Sequence, residues 1–184
     1  MNAVEILYEE HDYILTMLTI MEKIIDQAKN TGHLDPSHFE KVVIFLKGYA
    51  DRCHHGKEED LLFPALVEAR IPSENGPVGA MLHEHAVGRE LIAGMSQSLQ
   101  KYEAGDHSML EGVIGNAGKY IELLRNHIGK ENRILFPMAE RVLKAEVLSH
   151  LTLRFETFSD QSGVCTSQDY LGILKELHSV YAAI

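Results

Sequence analysis

Val4, Leu7, His11, Ile14, Leu15, Leu18, Met21 and Ile25 follow one another at three- and four-residue steps, so residues 3 to 29 carry one apolar stripe of helical period. The stretch NTGHLDPSHF interrupts it, with Asp35 or Ser37 beside Pro36 as the cap of a second helix. That helix spans residues 37 to 70 and contains Pro64, which should kink it or end its regular part. IPSENGP is the clearest loop. A third helix covers residues 77 to 104 and stops at AGDH. A fourth covers 107 to 143, with Pro137 placed as Pro64 is in the second. Residues 145 to 184 hold two weaker helical patterns separated by SDQSGVCTS, and no segment reads as a strand. Four long amphipathic helices with short links predict an all-α fold, an antiparallel up-down-up-down four-helix bundle with two extra C-terminal helical segments. Residues 1 to 143 form the bundle in this reading, and residues 144 to 184 are a helical extension packed on it.

The pattern also repeats. HHGKEEDLLFP (54–64) and HIGKENRILFP (127–137) both read H-x-x-K-E-x-x-x-L-F-P. Glu10-His11 precedes the first phrase and Glu84-His85 the second, 74 residues apart, while His54 and His127 are separated by 73, as are Glu58 and Glu131. Two helical hairpins are expected, each with a lone histidine followed by an H-x-x-x-E pair, closing into a pseudo-twofold bundle.

Composition narrows the function. The 184 residues suffice for one compact domain, and 45% hydrophobic with 24% charged residues is ordinary for a soluble protein. A net charge of −10 without a Lys/Arg cluster argues against nucleic acid as a partner. The N-terminus MNAVEILYEEHDY has no signal-peptide character, and no apolar run approaches the roughly 20 residues needed to cross a bilayer. No membrane association is expected. Cys53 and Cys165 do not make a disulfide framework, so a reducing cytoplasm is the expected location and Cys53 is read as a quiet buried thiol. Eleven histidines exceed what a packed core needs.

Residues four apart on a helix share a face, so His54 pairs with Glu58 and His127 with Glu131. His54 shares its stripe with Val43, Ala50, Leu61 and Ala65, and His127 with Tyr120, Leu123, Ile134 and Met138. His11 lies between Leu7 and Ile14/Leu15, and His85 between Met81/Leu82 and Ile92. Four imidazoles and two carboxylates therefore aim into an apolar interior. Burying unpaired carboxylates costs several kcal/mol each, and only Arg89 stands near enough in sequence to offer a countercharge. A pair of cations resolves this, with Glu58 and Glu131 bridging metals about 3.5–4 Å apart. His11, His54, His85 and His127 then supply terminal nitrogens. This thiolate-free set suits iron, with manganese and zinc as alternatives. A single buried histidine is more often a core residue; six ligand-type residues on four apolar stripes reverse that preference. His55 is turned about 100° from His54 toward Asp51, Arg52 and Glu59, and is read as surface or helix flank. His83 is read as structural, and His33, His38, His107, His150 and His178 are given no role.

The segments EHD, HHGKEEDLLFP, HEHAVGRE and HIGKENRILFP resemble the hemerythrin-like, or HHE cation-binding, family over about residues 1 to 143. The resemblance implies a non-heme di-iron centre, two irons bridged by oxo, hydroxo or water, with His11, His54, Glu58, His85, His127 and Glu131 as ligands. The oxygen-carrying members use a fifth histidine one turn from the ligand on the third helix, where this chain has Met81 and Arg89. Neither suits iron, since arginine has no lone pair to donate. The fourth helix carries Glu131 at +4 rather than an aspartate at +5. A symmetric four-histidine, two-glutamate site with extra open positions is expected.

Such a site predicts a protein that binds or senses oxygen or nitric oxide. The alternatives are an enzyme reducing peroxide or nitric oxide, served by an electron-donor protein and tuned by Tyr8, Tyr13, Tyr120 or Arg89, or an iron-centre repair or stress protein. The four-histidine set is similar to that of iron–sulfur cluster repair proteins. Those carry a cysteine-bearing N-terminal domain that is not expected where the site begins at His11. A signalling role for the tail would rest on the stripe Leu171, Leu174, Leu177 and Val180.

Overall fold

A computed structural model describes residues 1–160, 163–164 and 167–182. Helix α1, Ala3–Thr31, starts at a capping box in which the Asn2 side chain accepts from the Glu5 N–H and the Glu5 carboxylate accepts from the Asn2 N–H. It stops at Gly32, whose φ of 70° is left-handed and suits glycine. Asp35 caps α2, Pro36–Phe45, by accepting from the His38 N–H, and Pro36 occupies the first turn, where its missing donor does no harm.

The second long helix does not break at Pro64. It runs from α2 through wide, π-type turns at Leu46–His55 and Glu58–Leu62 into α3, Phe63–Glu68. The Phe63 N–H reaches back five residues to the Glu58 carbonyl. The fourth helix does the same. α5, Leu110–Lys130, passes through Glu131–Leu135 into α6, Phe136–Val142, and the Phe136 N–H reaches the Glu131 carbonyl. A proline ring clashes with the carbonyl four residues back, here Asp60 or Arg133, and a turn widened just before it opens that space.

The third long helix is α4, Pro77–Glu103, and a short 3-10 turn at His107–Met109 leads into α5. α4 lies against α5 and α2, and α1 against α5 and α2, which makes the antiparallel bundle. α7, Ala145–Glu156, and α8, Ser167–Tyr181, follow. Between them two two-residue strands, β1 (Ser159–Asp160) and β2 (Gly163–Val164), pair antiparallel where no strand was expected.

The core is divided into two apolar clusters. One gathers Ile14, Leu18, Met21, Phe45, Tyr49, Ile92, Met95 and Tyr120, joined by Leu174, Leu177 and Tyr181 of α8. The other gathers Leu7, Leu62, Phe63, Met81, Leu135 and Phe136, joined by Leu151 and Phe155 of α7. The polar residues of interest lie between these clusters, so each end of that layer is closed by hydrocarbon. Among the described residues no helix is long and apolar enough to cross a membrane.

Candidate metal centre

His11, Glu58 and Glu131 have no exposed surface, and His54, His85 and His127 have 1% each. All six sequence-predicted residues are thus inside, and they meet. The His11 and His127 Nε2 atoms each lie 3.2 Å from the same Glu131 oxygen. Glu58 places one oxygen 3.7 Å from His54 Nε2 and the other 3.5 Å from His85 Nε2. The His85 and His127 Nε2 atoms face each other at 3.1 Å. Two sets of donors result, each with its atoms within 4.8 Å of one another: His11, His54, Glu58 and Glu131, and His55, Glu58, His85 and His127.

The outer ring nitrogens decide what these donors offer. His54 Nδ1 donates to Glu10 at 2.9 Å, and His127 Nδ1 to Glu84 at 2.9 Å. Lys57 neutralises Glu10 and Lys130 neutralises Glu84. His85 Nδ1 donates to Glu59 at 2.7 Å, and His11 Nδ1 to the Asn132 side-chain oxygen at 2.6 Å. An ionised carboxylate or an amide oxygen only accepts, so each Nδ1 carries the proton and a neutral ring turns its Nε2 lone pair inward. The two halves interlock in the same way: Phe136 stacks on His11 at 5.2 Å and Phe63 on His85 at 5.8 Å. Each half's Leu-Phe-Pro phenyl therefore clamps the lone histidine of the other half.

Inward lone pairs 3.1 Å apart repel, as do a carboxylate and two imidazole lone pairs at 3.2 Å. Both oxygens of Glu58 and of Glu131 are buried without a hydrogen-bond partner, as are His11 Nε2 and His54 Nε2. Unsatisfied buried groups on this scale call for cations, and the donor set fits them. Without cations, protons must take their place. Burial and the neighbouring Glu131 push the Glu58 carboxyl well above the ordinary carboxylate range. Burial opposes charge on Glu131 too, but His127 and His11 outweigh it and hold this carboxyl well below that range. Burial lowers His54 to about 4 despite Glu10, keeping the ring neutral. Burial also works against charge on Glu10, yet His54 and Lys57 hold it below its usual value.

Residues 2–139 match the model of the hemerythrin HHE cation-binding domain. The chain belongs to this family. Among curated relatives, the iron-sulfur cluster repair protein YtfE of Edwardsiella ictaluri (strain 93-146) is 26% identical over 135 residues, 72% of this chain and 60% of that protein. The protein of the same name in Yersinia pestis (strain Pestoides F) is 33% identical over 91 residues, 48% of this chain and 41% of that one. The chain thus spans between two fifths and three fifths of the relatives it matches. No solved structure matches it significantly.

Several expectations drawn from the α-helical period of this HHE chain need correction. His55 is not on the surface; it is 3% exposed and stacks on His85 at 3.8 Å. The wide turns of Leu46–His55 rotate less per residue than an α-helix, so His54 and His55 both reach the interior. The side His55 was assigned to faces α4, where Arg89 binds both Asp51 and Glu59. Arg89 is therefore spent on those two carboxylates rather than on Glu58 or Glu131. The wide turn after Glu131 also shifts the register, leaving Ile134 54% exposed and burying Leu135 instead. Leu82, expected beside His85 on its stripe, is exposed.

Cys53 is disulfide-bonded and not the free thiol expected; Cys165 lies outside the described residues. The cysteines then no longer argue for a reducing compartment. Tyr8 donates to the Asn132 carbonyl at 3.1 Å, beside the His11 support, while the Tyr120 hydroxyl is buried and unpartnered. His83 is exposed, and His38 hydrogen-bonds Tyr181 at the α8 end, so neither lies in the cluster. Glu10, Glu84, Lys57 and Lys130 received no role in the sequence reading. Their repeated offsets, Glu before each lone histidine and Lys before each paired glutamate, were the available signal.

Proposed function

We propose that this protein holds two iron ions at the bundle core and binds or senses a small diatomic ligand, oxygen or nitric oxide, there. His11 and His54 would hold one ion and His85 and His127 the other, with Glu58 and Glu131 between. The observation that carries the reading is four buried imidazoles whose outer nitrogens are each tied to an acceptor, leaving four lone pairs converging on two unpaired carboxylates. A ferrous pair bound there would supply electrons and open coordination positions. The chain's own part is orientation and exclusion. Glu10, Glu59, Glu84 and Asn132 fix ring tautomers and planes. Phe63, Phe136, Leu7 and Met81 on one side, and Ile14 and Ile92 on the other, keep water away.

Elemental analysis and electronic spectra of anaerobically purified protein test this directly. About two irons per chain are expected, in line with the two-metal logic. The spectrum should change reversibly on exposure to oxygen or nitric oxide. A reproducible single zinc, or an iron-loaded protein indifferent to both gases, would overturn the reading.

Restoration of damaged iron–sulfur centres is the second reading, supported by the name that the matched relatives carry. Recovery of activity in an iron–sulfur enzyme inactivated by nitric oxide, dependent on the iron-loaded protein and lost in Glu131→Ala, would favour it over reversible binding.

A further inference from the structure

The two halves support their paired histidines with the same ion pair but do not cover it alike. Glu10 and Lys57, behind His54, have side chains 10% exposed each, whereas Glu84 and Lys130, behind His127, are 19% and 39% exposed. Both lysines stand in the same phrase, H-x-G-K-E, so the difference comes from what lies over them. Over the first half lies the C-terminal tail. Phe158, between α7 and β1, sets its ring 3.0 Å from where a Cβ on Gly56 would stand, beside Lys57. Tyr170 of α8 seats its ring on Gly48, where any Cβ would collide with it, and lies 6.4 Å from the Tyr49 ring. The second half differs at both places. Gly129, the counterpart of Gly56, meets the guanidinium of Arg133 from its own helix, and Ile121 stands where Gly48 does. Glu84 and Lys130 there line a surface groove with Val87, Leu91 and Leu123.

We propose that Phe158 and Tyr170 are positioning residues for the metal centre. The tail seals the Glu10–Lys57 support of His54, so the ion on the His11 and His54 side leaves slowly while the ion on the His85 and His127 side exchanges readily. The inference rests on the two-metal reading given above and adds an order of release to it. Its physical cause is what each histidine must break in order to let go. Loosening His54 strands a buried carboxylate and a buried ammonium, the costly case for an ion pair. Loosening His127 frees Glu84 and Lys130 into water, where a partly exposed pair is worth little. His85 leans on Glu59, which is itself 24% exposed and shared with Arg89. Local opening decides how readily a buried group is reached, and the two tail rings oppose it only along residues 48 to 56.

The test saturates the full chain with Zn2+, counts the ions by elemental analysis, and follows their release to an excess of chromogenic chelator. The wild type releases two ions in two phases whose rates differ at least about 10-fold, the scale on which ligand supports act. Phe158→Ala and Tyr170→Ala each quicken the slow phase by about that factor and leave the fast phase within about threefold, so the phases converge. Tyr170→Phe, which keeps the ring, releases zinc as the wild type does. Leu177→Ala, which weakens α8 without removing either ring, leaves both phases within about threefold, so lost stability alone does not give the result. Thermal melts of the metal-free forms establish that the variants fold. Single-phase release of two ions from the wild type, or both phases quickened alike by Phe158→Ala, overturns the role of the tail and leaves the two-metal reading standing. Fewer than two ions per chain overturns the two-metal reading, and hydrogen exchange of the metal-free chain then judges the tail by itself. Phe158→Ala speeds exchange of the amides of residues 46–58 and not of residues 119–131; unchanged exchange at 46–58 overturns its role.

Discussion

Glu58→Gln should stabilise the metal-free protein while weakening its hold on metal. Glutamine keeps the shape of the side chain and mimics the protonated acid, and its amide nitrogen can donate to one of the inward lone pairs of His54 and His85, which lie 3.7 and 3.5 Å from the two oxygens of the present carboxylate. Charge repulsion gives the magnitude. Donor atoms of Glu58 and Glu131 lie within 4.8 Å, and two like charges at that distance repel by about 3.5 kcal/mol at an effective dielectric of roughly 20.

The sign follows from the raised value. Between the unfolded and folded pKa of Glu58 the folded state binds more protons, so this group's contribution to stability falls as pH rises through that window. His54, His55 and His85, all lowered chiefly by burial, act oppositely below about pH 6.5. Only the difference between variant and wild type isolates Glu58. Urea denaturation in a chelator should therefore find Glu58→Gln ahead by a margin that widens from pH 5 to pH 7, and a lead of about 3.5 kcal/mol is worth roughly 7–14 °C in Tm. Saturating zinc should reverse the order, because a 100-fold loss of affinity forfeits about 2.7 kcal/mol of linkage per ion. A metal-free variant no more stable than wild type, or a gap that does not widen with pH, would refute the claim that these carboxylates face one another unpaired.

Glu10→Ala and Glu84→Ala should each weaken metal binding about 10- to 100-fold by freeing a ligand imidazole, measured by chelator competition. They should differ in stability: Glu10→Ala strands the buried Lys57 and costs about 3–5 kcal/mol, whereas Lys130, 39% exposed, can turn to water, so Glu84→Ala costs much less. Leu177→Ala should lose about 2–5 kcal/mol in denaturant, since this α8 side chain has no exposed surface, yet shift metal affinity less than threefold.

What could be read in advance depended on which helical period held. His11 and His85 sit in uninterrupted α-helix, and their apolar neighbours one turn away correctly marked an inward face. His54, Glu58, His127 and Glu131 were legible because a four-residue step keeps two side chains together even where the turn widens. His55 and Ile134 were not, since the 100° step that placed His55 outward and Ile134 inward is a property of the α-helix alone. Nothing in local composition announces a π-type turn. The repeated Leu-Phe-Pro did mark both places where one precedes a proline, and its phenylalanine already held a function in clamping the opposite histidine.

Charge misled for a related reason. Asp51 and Glu59 made one side of the second helix look solvated, but the partner that makes them tolerable, Arg89, comes from α4. In the other half the corresponding places hold Leu124, Asn132 and Leu15. One half therefore carries His55 with two carboxylates and a guanidinium, and the other carries hydrocarbon and a neutral amide. Both halves carry the paired Glu–Lys supports, Glu10 with Lys57 and Glu84 with Lys130, and they differ on this flank. Glu59 hydrogen-bonds His85 and His55 stacks on it, so this flank acts on the His85 side of the cluster. Packing alone does not require these ionisable groups, since Ile128 closes the place that corresponds to His55 with hydrocarbon.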